Sequence, residues 1–140
     1  MNWQEFQNVF QDCELKGEKI VIKSNLFEVL KFIKNNYYYD MLKEIIAVDN
    51  KELGVELIYK LYSVKNEDTT LVSITTYNEM ESVTKLYDSA VADEKEIYDL
   101  FGINFIGNNE LKRLYMPETW KGHPLKKDYV EDDERLRWND

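Results

Sequence analysis

Apolar residues recur along this chain at two different periods, and the change from one to the other marks out its elements. Trp3, Phe6, Val9 and Phe10 fall at helical spacing, so residues 2–12 predict an amphipathic helix. Ile20-Val21-Ile22, flanked by Lys19 and Lys23 and entered through Gly17, predicts a short strand. Asn25 then stands where an N-cap belongs, with Glu28 three residues on in the capping-box position and Leu26, Val29, Leu30 and Ile33 as the apolar stripe of a second helix. Asn35-Asn36 ends it. The run from Tyr37 through Leu42, Ile45, Ile46 and Val48 predicts a short helix passing into a strand.

The period then shortens to two. Val55, Leu57, Tyr59 and Leu61 alternate on one face of a strand, Lys65 to Asp68 makes a turn, and the β-branched run Thr69 to Thr76 returns, which predicts an antiparallel hairpin. Ser82 stands as the cap of a third helix that carries Val83, Leu86, Tyr87 and Ala90 inward. Further on, Ile97, Leu100 and Phe101 form an apolar stripe, with Glu94, Glu96 and Asp99 on the other faces. Gly102 closes that helix, and Ile103 and Phe105 predict a short extended piece. The expected order is α-β-α-β-β-β-α. It predicts an α+β fold of two layers, with helices on one face of a mostly antiparallel mixed sheet. From Met116 onward neither period survives, yet Trp120, Leu125 and Tyr129 are large apolar groups. Pro117 and Pro124 favour extended backbone before them, so residues 116–140 read as an extended C-terminal docking strap on a globular domain of residues 1–115.

Composition narrows what this fold can do. At 140 residues, 44% hydrophobic and 32% charged, the sequence holds one core. A net charge of -9 and a pI near 4.7 argue against nucleic acid, whose phosphates need Lys and Arg. Cys13 is alone, so there is no disulfide framework and no cysteine set for zinc or an iron–sulfur centre. The N-terminus lacks a signal-peptide pattern, and no run reaches the roughly 20 apolar residues of a membrane span; the expectation is a cytoplasmic protein with no direct membrane insertion. Charge is also uneven: from Glu110 to Tyr129 five cations face three anions. Residues 131–140 are mainly a charge run, with Trp138 the exception.

Glu94, Glu96, Asp99 and His123 invite a metal or general acid–base reading. Spacing opposes it, because helix positions i and i+2 point to different faces and the one His lies in the strap. Two readings of the carboxylates stay open. They form a solvated helix face paired with Lys95 or Lys85, or they accept hydrogen bonds from the strap or a partner and lock the angle at which the strap departs. Trp120, Leu125 and Tyr129 either fold back over the sheet or dock on a partner, and their aromatic and cationic neighbourhood favours docking.

Two linked blocks resemble the signature of the family of C subunits of respiratory complex I, which includes the matching subunit of energy-converting, membrane-bound [NiFe] hydrogenases. The first is Glu94, Glu96, Asp99, Phe101, Gly102, Ile103, Phe105 and Gly107; the second is Trp120, Gly122, His123, Pro124, Leu125, Lys127 and Asp128. Lys95 and Lys126 stand for Arg, Ala92 for Trp, and Asn108-Asn109 for a His-Pro. The resemblance extends from about Asn25 to Tyr129. It implies a scaffold subunit of an electron-transfer complex, NADH-quinone oxidoreductase or hydrogenase, with no catalytic residues or cofactor of its own. Iron–sulfur clusters and nickel–iron, quinone or flavin would then sit in partner subunits. It further implies docking on a large hydrogenase-like subunit, with the strap reaching a small iron–sulfur subunit at the inner face of the cell membrane. Glu94, Glu96, Asp99, Lys112, Arg113, Trp120, Gly122, His123, Pro124, Leu125, Lys126, Lys127, Asp128 and Tyr129 are the expected partner-binding residues. The shortness of the sequence favours the hydrogenase branch, with complex I proper second. A stand-alone enzyme using the Glu94, Glu96 and Asp99 carboxylates, or a free regulatory binding module, is the competing reading.

Overall fold

The strict alternation of Val55, Leu57, Tyr59 and Leu61 turns all four into the core, each at most 1% exposed. This holds in a computed structural model of the protein, which describes residues 3–108. In sequence order the elements are α1 (Trp3–Val9), β1 (Glu14–Lys16), β2 (Lys19–Val21), α2 (Leu26–Tyr37), β3 (Met41–Asp49), β4 (Val55–Ser63), β5 (Asp68–Thr76), β6 (Glu79–Glu81), α3 (Ala90–Phe101) and β7 (Asn104–Ile106), with a 3₁₀ turn at Lys51–Leu53. Five strands form one sheet in the order β1-β2-β5-β4-β3, and β6 and β7 pair parallel as a separate ribbon.

The expected hairpin is present: β4 and β5 pair antiparallel from Val55↔Thr76 to Ser63↔Asp68. On the opposite face of β4, Glu56, Ile58, Lys60 and Tyr62 stay half-buried. That asymmetry is the mark of a two-layer fold, with helices on one face only. Leu26, Val29, Leu30 and Ile33 of α2, all at most 1% exposed, cover the inner face together with Phe6 of α1. Each such side group adds about 1.5–3 kcal/mol of hydrophobic stabilisation. The sheet is mixed because β2 runs parallel to β5, in register Ile20↔Val72.

Several local expectations fail, each for a tertiary reason. Asn25 makes no side-chain cap and sits in the left-handed region at φ 60. The capping box with Glu28 does not form; Glu81, from β6, accepts the Phe27 N–H at 3.3 Å instead. No helix forms between Tyr38 and the strand, which begins at Met41. Tyr38 at φ 64 ends α2, and the Tyr39 hydroxyl donates to Asp68 at 2.6 Å, which draws the backbone onto the sheet beside β4. Ser82 does not begin a helix, because α3 starts at Ala90 and residues 82–89 are turns. β1 and β6 add to the predicted order, the extended piece expected at Ile103 and Phe105 is β7, and α1 is shorter than 2–12. The expected strap and Lys112, Arg113, Trp120, Gly122, His123, Pro124, Leu125, Lys126, Lys127, Asp128 and Tyr129 lie outside the described residues.

Candidate functional site

α3 lies along the edge of the sheet and occupies groups that an edge strand leaves open. The Ser89 hydroxyl donates to the Leu42 carbonyl at 3.0 Å, and the Asp93 carboxylate accepts the Ile45 N–H at 3.1 Å. A register shift in β3 between Leu42 and Glu44 separates these two attachments. At the far end, Gly102 takes φ 78 and its N–H returns to the Tyr98 carbonyl, the left-handed closure that the sequence predicts. The backbone then turns into β7, where Ile103 and Phe105 are buried.

Glu94 is the centre of this arrangement. Its carboxylate is fully buried, and three donors converge on it. Oε1 accepts from the Ser82 hydroxyl at 2.8 Å and the Asn108 amide at 3.0 Å, and Oε2 accepts the Val83 N–H at 2.8 Å. One residue of α3 therefore ties together the turn after β6 and the point where the backbone leaves β7. All three donors are neutral. Burial raises the Glu94 carboxyl above its ordinary range, and the Val83, Ser82 and Asn108 hydrogen bonds pull it back only in part. Burial also raises Asp93, against the lowering effect of its bond to Ile45. Nearby, the Tyr59 hydroxyl is the one buried side-chain polar atom without a partner among the described residues. Burial pushes that phenol far up, and the Glu94 and Glu81 charges add to the effect.

The three sequence-predicted carboxylates do not meet. Glu94 and Asp99 are buried and Glu96 is exposed, so the solvated-face reading holds only for Glu96. No group of three or more potential metal ligands occurs among the described residues. The second open reading, in which the strap or a partner supplies the donors, lies outside the described residues; the donors seen on Glu94 are Ser82, Val83 and Asn108. A sequence signal for its burial exists: Ala90, Glu94, Ile97 and Phe101 recur at helical spacing, so Glu94 lies on the apolar stripe rather than beside it. Asn108 carries a signal too. The His that the signature has there and the Asn found here both present an N–H.

Fold and site together define an α+β domain whose signature helix is a structural clasp, tying the turn after β6 to Asn108 after β7. The description "Respiratory-chain NADH dehydrogenase, 30 Kd subunit" belongs to the family whose profile matches residues 20–135, and this protein is a member of that family. It is similar to the C subunit of NADH-quinone oxidoreductase from Citrifermentans bemidjiense, 37% identical over 134 residues, covering 90% of this sequence and 83% of that one. It is also similar to the C subunit of the same enzyme from Moorella thermoacetica, 31% identical over 135 residues, covering 90% and 91%. A third relative, the C/D subunit of NADH-quinone oxidoreductase from Phocaeicola vulgatus, is 33% identical over 126 residues, which cover 86% of this sequence and 24% of the other. Family membership makes the protein a subunit of a redox complex, with partner subunits. No helix among the described residues is long and apolar enough to cross a membrane.

Proposed function

We propose that this protein is a scaffold subunit of a membrane-associated NADH-quinone oxidoreductase, one that docks on the large hydrogenase-like subunit and leaves electron transfer to cofactors held by its partners. The carrying observation is the C/D relative. Only 24% of it is matched here, and its name joins two subunits in one polypeptide. Covalent joining fixes two modules at high effective concentration, an arrangement that suits partners which already touch.

The clasp supports the same reading from within the fold. Glu94 spends its acceptors on Ser82, Val83 and Asn108, so its role is to hold backbone and side chain in place. Its bond to Asn108 falls at the last described residue, and in this reading it steers the basic segment that follows. In this reading Lys112, Arg113 and residues Trp120 to Tyr129 continue onto the large subunit and toward the small iron–sulfur subunit. The complex would sit at the cytoplasmic face of the cell membrane, reached through its other subunits. All three relatives described above are named as NADH-quinone oxidoreductase subunits, which favours complex I over the hydrogenase branch.

The test is affinity capture of the tagged protein from gently solubilised native membranes, with the recovered proteins identified and iron, nickel and flavin assayed. Recovery with the large and iron–sulfur subunits supports the reading; flavin marks complex I and nickel marks hydrogenase. Recovery of the protein alone would sink it. Trp120→Ala is expected to weaken assembly while the thermal midpoint of the purified protein stays nearly unchanged; a large loss of stability would instead make the strap part of the core.

A further inference from the structure

A buried carboxylate that takes up a proton ordinarily loses part of its hold, because one acceptor oxygen becomes a donor that needs an acceptor of its own. Of the three groups on Glu94, two cannot serve: the Val83 N–H on Oε2 and the Asn108 amide nitrogen on Oε1 only donate. The third can. The Ser82 hydroxyl, 2.8 Å from Oε1, is able both to donate and to accept. Ser82 is itself only 8% exposed, so when its oxygen turns to accept, its own proton needs a new partner. Thr84 supplies one. Its Oγ1 lies 3.0 Å from the Ser82 oxygen, where either hydroxyl can be the donor, and the Thr84 N–H donates to the same oxygen at 3.2 Å.

The number of bonds is therefore the same in both charge states. With Glu94 ionised, Thr84 donates to Ser82 and Ser82 donates to Oε1; with Glu94 protonated, Oε1 donates to Ser82 and Ser82 donates to Thr84. In each state the Ser82 oxygen donates once and accepts twice, counting the Thr84 N–H, and the Val83 and Asn108 bonds are untouched. Thr84 is half-buried, whereas Ser82 and Glu94 are buried, so the row opens outward at its threonine end.

We propose that Glu94, Ser82 and Thr84 form a proton-binding site, in which a proton taken from water at Thr84 reaches the Glu94 carboxylate through two hydroxyls. Thr84 takes up the incoming proton and releases its own to Ser82, and Ser82 releases its own to Oε1. One O–H bond forms and one breaks at each hydroxyl, and Glu94 gains a single proton. The charge of the domain changes by one while the ties from α3 to the turn after β6 and to Asn108 stay in place. Asp93, one position back on α3, favours the uptake, since its charge adds to burial in raising the Glu94 carboxyl. Tyr59 of β4 is near enough to respond to Glu94 and to Glu81 of β6, and its phenol is held in the protonated form. The site is independent of the scaffold role.

The test follows the Glu94 side-chain carbon by NMR through a pH titration of the full-length protein labelled with carbon-13 glutamate, the signal being assigned by its absence from Glu94→Gln. Thr84 makes no hydrogen bond to Glu94, so a threonine with a merely structural role would leave this titration where it is. Thr84→Val removes the group that receives the Ser82 hydroxyl in the proton-bound state alone, and the Glu94 midpoint should fall by about one pH unit. Thr84→Ala removes the same hydroxyl and should repeat the fall, which separates the relay from a packing fault particular to valine. Thr84→Ser keeps a hydroxyl and should titrate with the unsubstituted protein. A midpoint that both the valine and alanine variants leave in place, or move upward, would overturn the site, since the bond from the proton would then go to another acceptor such as a turned Asn108 amide. An equal fall in the serine variant would overturn it as well.

Discussion

Two carboxylates hold this domain together in opposite electrostatic ways. Glu94 is fully buried and gripped by three neutral donors, and its carboxyl is raised. Glu56 lies on the open face of the sheet, its side chain 19% exposed, with Lys19 Nζ at 2.7 Å and the Ser73 hydroxyl at 2.5 Å. The Lys19 hydrogen bond, then that of Ser73, lowers its carboxyl despite partial burial. Hydrogen-bond number does not separate the two, since Glu94 has more. What separates them is that Glu56 has a cation beside it and some exposure to water, whereas Glu94, among the described residues, has only neutral donors in a site closed to solvent.

The harshest way to break the comparison is Glu94→Ala. It leaves the Ser82 hydroxyl, the Val83 N–H and the Asn108 amide without their acceptor, and is expected to cost about 3 kcal/mol in urea unfolding of the full-length protein. A cost below about 1 kcal/mol would mean that water replaces the carboxylate and that no clasp exists.

Asn108→His sharpens the contrast, because an imidazolium at that position would give Glu94 the cationic partner that Glu56 already has. The Glu94 carboxyl should then titrate lower, as followed by carbon NMR of the labelled side chain. The pH dependence of stability follows with a defined sign. A raised Glu94 contributes fully below its unfolded value near 4.5, and that contribution is lost as pH rises through its folded value. Asp93 acts in the same direction from its ordinary value of 3.8 upward. A lowered Glu56 works the other way: its stabilisation is present above about 4.5 and is lost as pH falls through its folded value. Asn108→His should reduce the loss of stability above about pH 4.5 and leave the acid limb alone. A change confined to the acid limb would assign the effect to Glu56 instead.

Lys19→Met is the gentlest change. Because the pair is partly exposed and screened, it should cost about 0.5 kcal/mol at low salt and less at high salt. Its visible effect should be on the acid limb of the pH profile, which flattens as Glu56 returns toward its ordinary value.

The central hairpin was legible in the sequence because Val55, Leu57, Tyr59 and Leu61 alternate without a break and their partners lie a short turn away. The helix closure at Gly102 was legible for a similarly local reason. Ser82 and Asn25 were not, since each has the residue type of a cap but a different fate. Ser82 gives its hydroxyl to Glu94, 12 residues on, while Asn25 turns left-handed and Glu81 serves α2 from 54 residues away. β1 had no signal to read, because Glu14, Leu15 and Lys16 are all exposed. Of the candidate site, the importance of Glu94 was visible in the signature, while its burial was visible only in the stripe that it shares with Ala90, Ile97 and Phe101. Ser82 and Val83 as its donors depend on how distant segments pack, which no local pattern records.

The parallel pairing of β2 with β5 also sets an order of events during synthesis. Lys19 is matched to Leu71, so the first strand of the core emerges long before the strand it needs exists. The β3–β4–β5 meander closes through short loops and can form as soon as it is made, whereas β2 must wait for β5 and then close a loop of about 50 residues. Until then Ile20 and Ile22, buried in the finished fold, lack the sheet that they join. The N-terminal strand therefore stays without its sheet until β5, through Ser73, is free to pair with it.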